Sequence, residues 1–209
     1  DNLYYVGIQW VSCYLLVTDD GLILIDALYG NQVQNLVDGI RQLGFDPEDI
    51  KYLLVTHGHF DHVGGAAYFQ REFGAKVGMA AWDWKRSEAD AGLKDFSFEP
   101  PKLDLVFNDG DVLELGGQVI RFYVTPGHTE GVLSMEFAVR DGENQHRAFV
   151  VGGGGLNFTG AWRTKTYISS IRRIRALAVQ SPNIEVNISN HPNWGGIIQR
   201  HEKMVERSQ

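Results

Sequence analysis

Six residues, His57-Gly58-His59-Phe60-Asp61-His62, gather three of the chain's seven histidines and a carboxylate directly behind an apolar run, Tyr52-Leu53-Leu54-Val55. Neutral imidazole and carboxylate are the usual nitrogen and oxygen ligands of a borderline cation such as Zn²⁺. Residues two apart at a strand end point the same way, so His57 and His59 can share one ion. Asp61 and His62 lie where the chain turns away and can reach a second. A polar loop merely rich in histidine is the bland alternative, and three His beside an Asp in six positions argue against it. Two more histidines stand at expected strand ends beside chain-turning residues, His128 after Pro126-Gly127 and His191 before Pro192. They complete a count. His57, His59 and His128 give three nitrogens for one ion; Asp61, His62 and His191 give a carboxylate and two nitrogens for the other. Each set leaves room for water, which marks a catalytic rather than a structural zinc. His146, beside a turn, and His201, on a helical stripe, are expected to be non-ligands.

Strands and helices must carry these residues to one place. Leu3 to Val6, Ser12 to Thr18 and Leu22 to Asp26 read as strands, with Asp19-Asp20-Gly21 as a hairpin turn. Leu22-Ile23-Leu24-Ile25 is aliphatic throughout, as expected for a strand covered on both faces. Asp26 therefore emerges from a buried strand, either to turn the chain or to hold a ligand histidine by its free N–H. Asn31 can cap a helix with Val33, Leu36, Val37, Ile40 and Leu43 on its apolar face, and Lys51 to Thr56 forms the strand that delivers the His motif. A helix from Ala66 to Gly74 and a strand from Ala75 to Met79 follow. Residues 82 to 104 are the least regular stretch: Trp82 and Trp84 open a polar, helix-compatible piece, and Phe96 and Phe98 pack a loop. From Lys102 the pattern is a β-meander, Leu105 to Phe107, Val112 to Leu115, Val119 to Thr125, Val132 to Val139 and Arg147 to Val151, broken by Gly152 to Gly155. A helix over Thr166 to Gln180 shows Ile168, Ile171, Ile174, Leu177 and Ala178 on one side. A last strand, Ile184 to Ile188, and a closing helix with Ile197, Ile198, His201, Met204 and Val205 as its stripe complete the chain. Strands first and helices later, twice over, predict one domain spanning 1–209: an α/β sandwich of two mixed β-sheets flanked by helices.

The 209 residues, 44% of them hydrophobic, suffice for a single large core. The net charge of −7 comes without long runs of one sign, and the one basic cluster, Arg172-Arg173 with Arg175, reads as the solvated face of a helix, so the balance argues against a nucleic-acid surface. No stretch approaches the roughly 20 apolar residues of a membrane span. The single cysteine, Cys13, leaves the redox compartment open. The chain starts without Met and almost inside a strand. That beginning suggests a processed N-terminus and, with it, a periplasmic or secreted location.

The three motifs, His57 to His62, Pro126-Gly127-His128-Thr129 and Asn190-His191-Pro192, together with Leu24-Ile25-Asp26 upstream, resemble in order and spacing those of the metallo-β-lactamase superfamily. The resemblance implies an αββα sandwich with a dinuclear zinc cleft along one edge. Most members bridge the two metals with an Asp after the fourth-His motif, and one group of β-lactamases places a Cys there. The matching stretch here, Phe149 to Asn157, contains neither. The set is most like the β-lactamase subclass with His-His-His and Asp-His-His zinc sites. That implies a zinc-dependent hydrolase opening a small-molecule β-lactam with hydroxide held between two Zn ions, which Asp61 helps to aim. Where that subclass usually has Ser, this chain has Gly153 and Gly154, whose backbone N–H groups are candidates for the substrate anion. Trp10 and Trp194 are candidate walls of the substrate cleft. Two alternatives stay open: another hydrolase on the same scaffold, acting on a lactone, ester, sulfate or phosphoester, and a zinc-binding protein without catalysis. The oligomeric state is not legible.

Overall fold

The computed structural model of the chain describes residues 1–93, 97–180 and 182–207. Two mixed β-sheets stack face to face. The first carries six strands in sequence order: β1 (Leu3–Tyr5), β2 (Tyr14–Thr18), β3 (Gly21–Ile25), β4 (Ile50–Leu54), β5 (Lys76–Met79) and β6 (Leu105–Val106). β1 to β3 are antiparallel, and β3 to β6 run parallel because a crossover separates each pair. The second sheet has five strands, β7 (Val112–Leu115), β8 (Gln118–Val124), β9 (Leu133–Asp141), β10 (Asn144–Val151) and β11 (Val186–Ser189). They are antiparallel except for the parallel pair β10 and β11.

The aliphatic run of β3 shows why the sandwich has two cores. Leu22 and Leu24 face helices α1 (Val33–Gln42) and α3 (Ala66–Phe73), among Leu36, Ile40 and Phe69. Ile23 and Ile25 face the second sheet, among Phe122, Leu133, Met135 and Val150. Alternation with period two thus serves both layers, and each fully buried aliphatic contributes about 1.5–3 kcal/mol of transfer free energy. Phe107 stacks on Phe122 with ring centroids 4.0 Å apart in the inter-sheet core.

Several expectations need adjustment. Leu105 does not open the meander: β6 pairs with β5 and closes the first sheet, and the meander begins at β7. The segment after β5 is α4 (Ala81–Asp90), which buries Trp84 and exposes Trp82. Phe98 is buried as expected; Phe96 lies outside the described residues. Helix α5 (Ala161–Ala178) begins five positions earlier than Thr166. Its inward stripe runs through Arg163, Tyr167, Ser170 and Ile174, leaving Ile168 and Ile171 exposed, because its partners are loop carbonyls rather than an apolar face. The closing helix α7 (Ile197–Arg207) has its amphipathic stripe, but Met204 and Val205 on it are exposed. Among the described residues no helix is long and apolar enough to cross a membrane.

Candidate metal centre

Every residue of the His motifs leaves its sheet at the same edge, beyond the carboxyl ends of β3, β4, β10 and β11 and in the loop joining β8 to β9, where open sheets place their ligands. His57 and His59 follow β4; Asp61 and His62 lie on the four-residue helix α2 (Phe60–Val63). His128 stands in the loop between β8 and β9, and His191 immediately before the short helix α6 (Pro192–Gly195). Two clusters result, His57 with His59 and His128, and Asp61 with His62 and His191, each with one ligand atom per residue and all such atoms within 4.8 Å of one another. The rings of His57 and His62 lie 4.2 Å apart, so the two clusters are neighbours.

The hydrogen bonds decide which ring nitrogens of these clusters are free to coordinate. His57 donates from Nδ1 to the Gly152 carbonyl at 2.9 Å, and His128 from Nδ1 to the Gly155 carbonyl at 2.9 Å. Carbonyl acceptors fix the proton on Nδ1, so both Nε2 atoms carry bare lone pairs, and these face each other at 3.1 Å. The second cluster repeats the arrangement. His62 Nδ1 donates to Asp26 Oδ2 at 2.8 Å, His191 Nδ1 to the Trp10 carbonyl at 2.8 Å, and their Nε2 atoms are 3.2 Å apart. Opposed lone pairs at that distance repel unless a cation lies between them. Tetrahedral zinc with nitrogens at about 2.0–2.1 Å separates its ligands by roughly 3.3–3.4 Å, close to both values. The donor set fits zinc.

Electrostatics agree with ligation in the first cluster. Burial, then the neighbouring imidazoles, pushes the His57 pKa well below its ordinary value. Burial and the Arg86 charge take His59 down to about 3, and burial also lowers His128 and His191. All four are neutral at pH 7, the form that binds a metal. For Asp61, burial is outweighed by His62 and His191, which hold its carboxyl low and charged. His62 is the exception: burial opposes its charge, yet Asp61 and Asp26 together raise its pKa.

Asp26 is wholly buried and holds the ends of three segments. Its Oδ1 accepts from the Thr56 N–H at 2.7 Å, and its Oδ2 accepts from Thr56 Oγ1 at 2.9 Å as well as from His62. It does so from a left-handed backbone, φ 62°, with Leu28 at 58° two residues on. Non-glycine residues there cost on the order of 1–3 kcal/mol each, a strain placed beside the site. Asn190 extends the lattice, donating from Nδ2 to the Gly152 carbonyl at 2.7 Å and to Thr56 Oγ1 at 3.3 Å.

The glycine run lies against the clusters. A Cβ on Gly153 or Gly155 would come within 3.0 Å of the His128 ring, and one on Gly154 within 2.9 Å of Trp194. Only glycine lets this strand end pass so close. A cleft of about 530 Å³ opens over both clusters. Its walls include Phe60, Leu93, Gly155, Leu156, Asn157 and Trp194, with the Arg86–Asp90 ion pair (3.2 Å) along one side. Of the residues singled out as substrate candidates, Trp194 lines the cleft, its ring 4.7 Å from that of His191. Gly153 and Gly154 pack behind it, and Trp10 contributes the carbonyl that orients His191. His146 pairs with Glu185 at 3.1 Å on the far part of the second sheet and His201 is exposed on α7, so neither joins a cluster. Sequence reasoning missed Arg86, Asp90, Leu93, Leu156 and Asn157. None stands in a His motif, and only folding brings α4 and the loop after β10 to the cleft.

Comparison with known proteins follows the same lines. The sequence profile of the metallo-β-lactamase superfamily matches residues 10–141. Among curated relatives, hydroxyacylglutathione hydrolase GloC of Haemophilus influenzae is 30% identical over 176 residues, 77% of each chain. The hydroxyacylglutathione hydrolase of Acidiphilium cryptum is 33% identical over 88 residues, and this chain spans only 31% of it. Among solved structures, BJP-1, a subclass B3 metallo-β-lactamase of Bradyrhizobium japonicum, superposes with a TM-score of 0.88 at 30% identity, covering 97% of this chain and 79% of that one. FEZ-1 of Legionella gormanii gives 0.88 at 26% identity, covering 100% and 83%. Profile, relatives, sandwich and paired clusters agree: the chain belongs to the metallo-β-lactamase superfamily.

Proposed function

We propose that this protein is a zinc-dependent hydrolase that opens the ring of a β-lactam. The observation that carries this reading is the make-up of the two clusters. Five imidazoles and Asp61 fill them, and where the chain leaves β10 there are glycines rather than a carboxylate or a thiol. The likeness to subclass B3 structures over nearly the whole chain supports it.

Two zinc ions, held by His57, His59 and His128 and by Asp61, His62 and His191, would supply an acidified water and an electrophile for the carbonyl. The protein's own groups do the rest. Asp61, charged and 15% exposed at the cleft floor, accepts a hydrogen bond from the attacking water and aims it. Trp194, Leu156 and Leu93 offer apolar surface to the substrate's body and exclude water. Arg86 supplies a fixed positive charge on the wall. Its Nε lies 3.2 Å from Asp90 Oδ2, and the guanidinium, lining the cleft, suits a substrate carboxylate.

A second reading, hydrolysis of a thioester, is favoured by the Haemophilus relative. The test is turnover of a chromogenic cephalosporin and a carbapenem with added zinc, run beside a 2-hydroxyacyl glutathione thioester. EDTA-sensitive ring opening at micromolar enzyme is the expected result. Thioester turnover without any β-lactam turnover would replace the first reading by the second.

A further inference from the structure

Asp83, in the first turn of α4, is completely buried and belongs to neither cluster. Its Oδ2 accepts from Thr129 Oγ1 at 2.7 Å, and Thr129 follows His128. On its other side the residue packs against Gly58, which sits between His57 and His59. A Cβ there would lie 2.5 Å from the Asp83 carbonyl oxygen. A Cβ on Gly131, beyond Thr129, would lie 3.1 Å from Asp83 Cγ. The residue is therefore wedged between the loop that leaves the first sheet after β4 and the loop that joins β8 to β9 in the second. Those loops bring His57 and His59, and His128, to the same ion site from opposite sheets.

A carboxylate with one neutral hydroxyl as its hydrogen-bond donor is a costly thing to bury. Burial lifts its pKa to about 6; Thr129, then the Arg86 charge and the Gly58 N–H, act against the rise. Oδ1 is left without a hydrogen bond among the described residues. An apolar side chain would pack α4 at less cost, but it would not tie the two loops together.

We propose that Asp83 is a positioning residue of the metal centre, fastening the His57–His59 turn to the His128 loop and so setting the spacing of the three nitrogens. The proposal rests on the clusters as metal sites and not on the substrate. It can fail while β-lactam hydrolysis stands, and stand where β-lactam hydrolysis fails.

The test measures zinc binding by competition with a chromophoric chelator, and the absorption of bound Co²⁺, in a His191→Ala background where only the first cluster binds. Asp83→Ala should weaken binding there tenfold to a hundredfold and shift the Co²⁺ spectrum, the usual effect of removing a group that orients a ligand. Thr129→Val should lose several-fold, and the double variant no more than Asp83→Ala alone, because both remove one link. Asp83→Asn should recover most of the loss, since its amide oxygen accepts from the same hydroxyl. Unchanged affinity in Asp83→Ala would overturn the proposal. So would additive losses in the double variant, or an Asn variant as weak as Ala. If Asp83→Ala does not fold, Thr129→Val, which keeps the shape and removes the hydroxyl, decides alone: wild-type affinity and spectrum overturn the proposal, and weakened binding supports it.

Discussion

Exchanging one atom of Asp26 should loosen the hold of the second cluster on its ion while leaving the first unchanged. In Asp26→Asn the side-chain carbonyl can still accept from the Thr56 N–H, where Oδ1 now sits at 2.7 Å. The amide nitrogen then replaces Oδ2, which accepts from His62 Nδ1 at 2.8 Å and from Thr56 Oγ1 at 2.9 Å. Asn tolerates the left-handed φ of 62° as well as Asp does, so the backbone need not move. A donor now faces His62 Nδ1, and the imidazole must put its proton on Nε2, the nitrogen that faces His191 at 3.2 Å. A protonated nitrogen cannot bind a cation. Loss of the correct tautomer should weaken the second ion by about tenfold to a hundredfold, roughly 1.4–2.7 kcal/mol. The first ion should be unaffected, because His57 and His128 are oriented by the carbonyls of Gly152 and Gly155. Two-step zinc titration against a chelator measures both affinities, and long-range ¹⁵N–¹H couplings of the imidazole report the tautomer. A second affinity within twofold of the parent protein, with His62 still protonated at Nδ1, would refute the reasoning.

Other outcomes follow from the same geometry. His191→Ala should leave one zinc per chain by mass spectrometry, held by His57, His59 and His128. Arg86→Gln should raise KM for an anionic β-lactam about tenfold, the scale of one charge-assisted hydrogen bond, with kcat little changed in steady-state kinetics. Phe122→Ala, which removes a fully buried ring from the inter-sheet core, should cost about 3–5 kcal/mol in denaturant unfolding. The metal-free protein should lose stability as pH falls below about 6.5. The unfolded chain then binds protons that His57, His59, His128 and His191 refuse while folded, a loss that continues towards the His59 value of about 3. The raised pKa values of His62 and Asp83 act in the opposite direction, as two groups against four. A thermal midpoint that rises between pH 7 and pH 5 would contradict this balance.

By itself the sequence determined the residue types of the two clusters and most of the layers. His57, His59, Asp61 and His62 fall within one turn of chain, so their convergence is local chemistry, and the aliphatic β3 can only lie inside a sandwich. Helix α1 and the strands β3 and β4 were legible because their apolar periods match the faces they bury. Only the tertiary structure decided what is non-local. It set the Nε2 pairs 3.1 and 3.2 Å apart. It turned the stripe of α5 towards loop carbonyls, put Gly153 and Gly154 behind the two clusters, and brought Arg86 and Asp83 of α4 beside them. The reason is physical: a periodicity records which face of an element is covered, whereas a partner a hundred residues away leaves no mark on the local pattern.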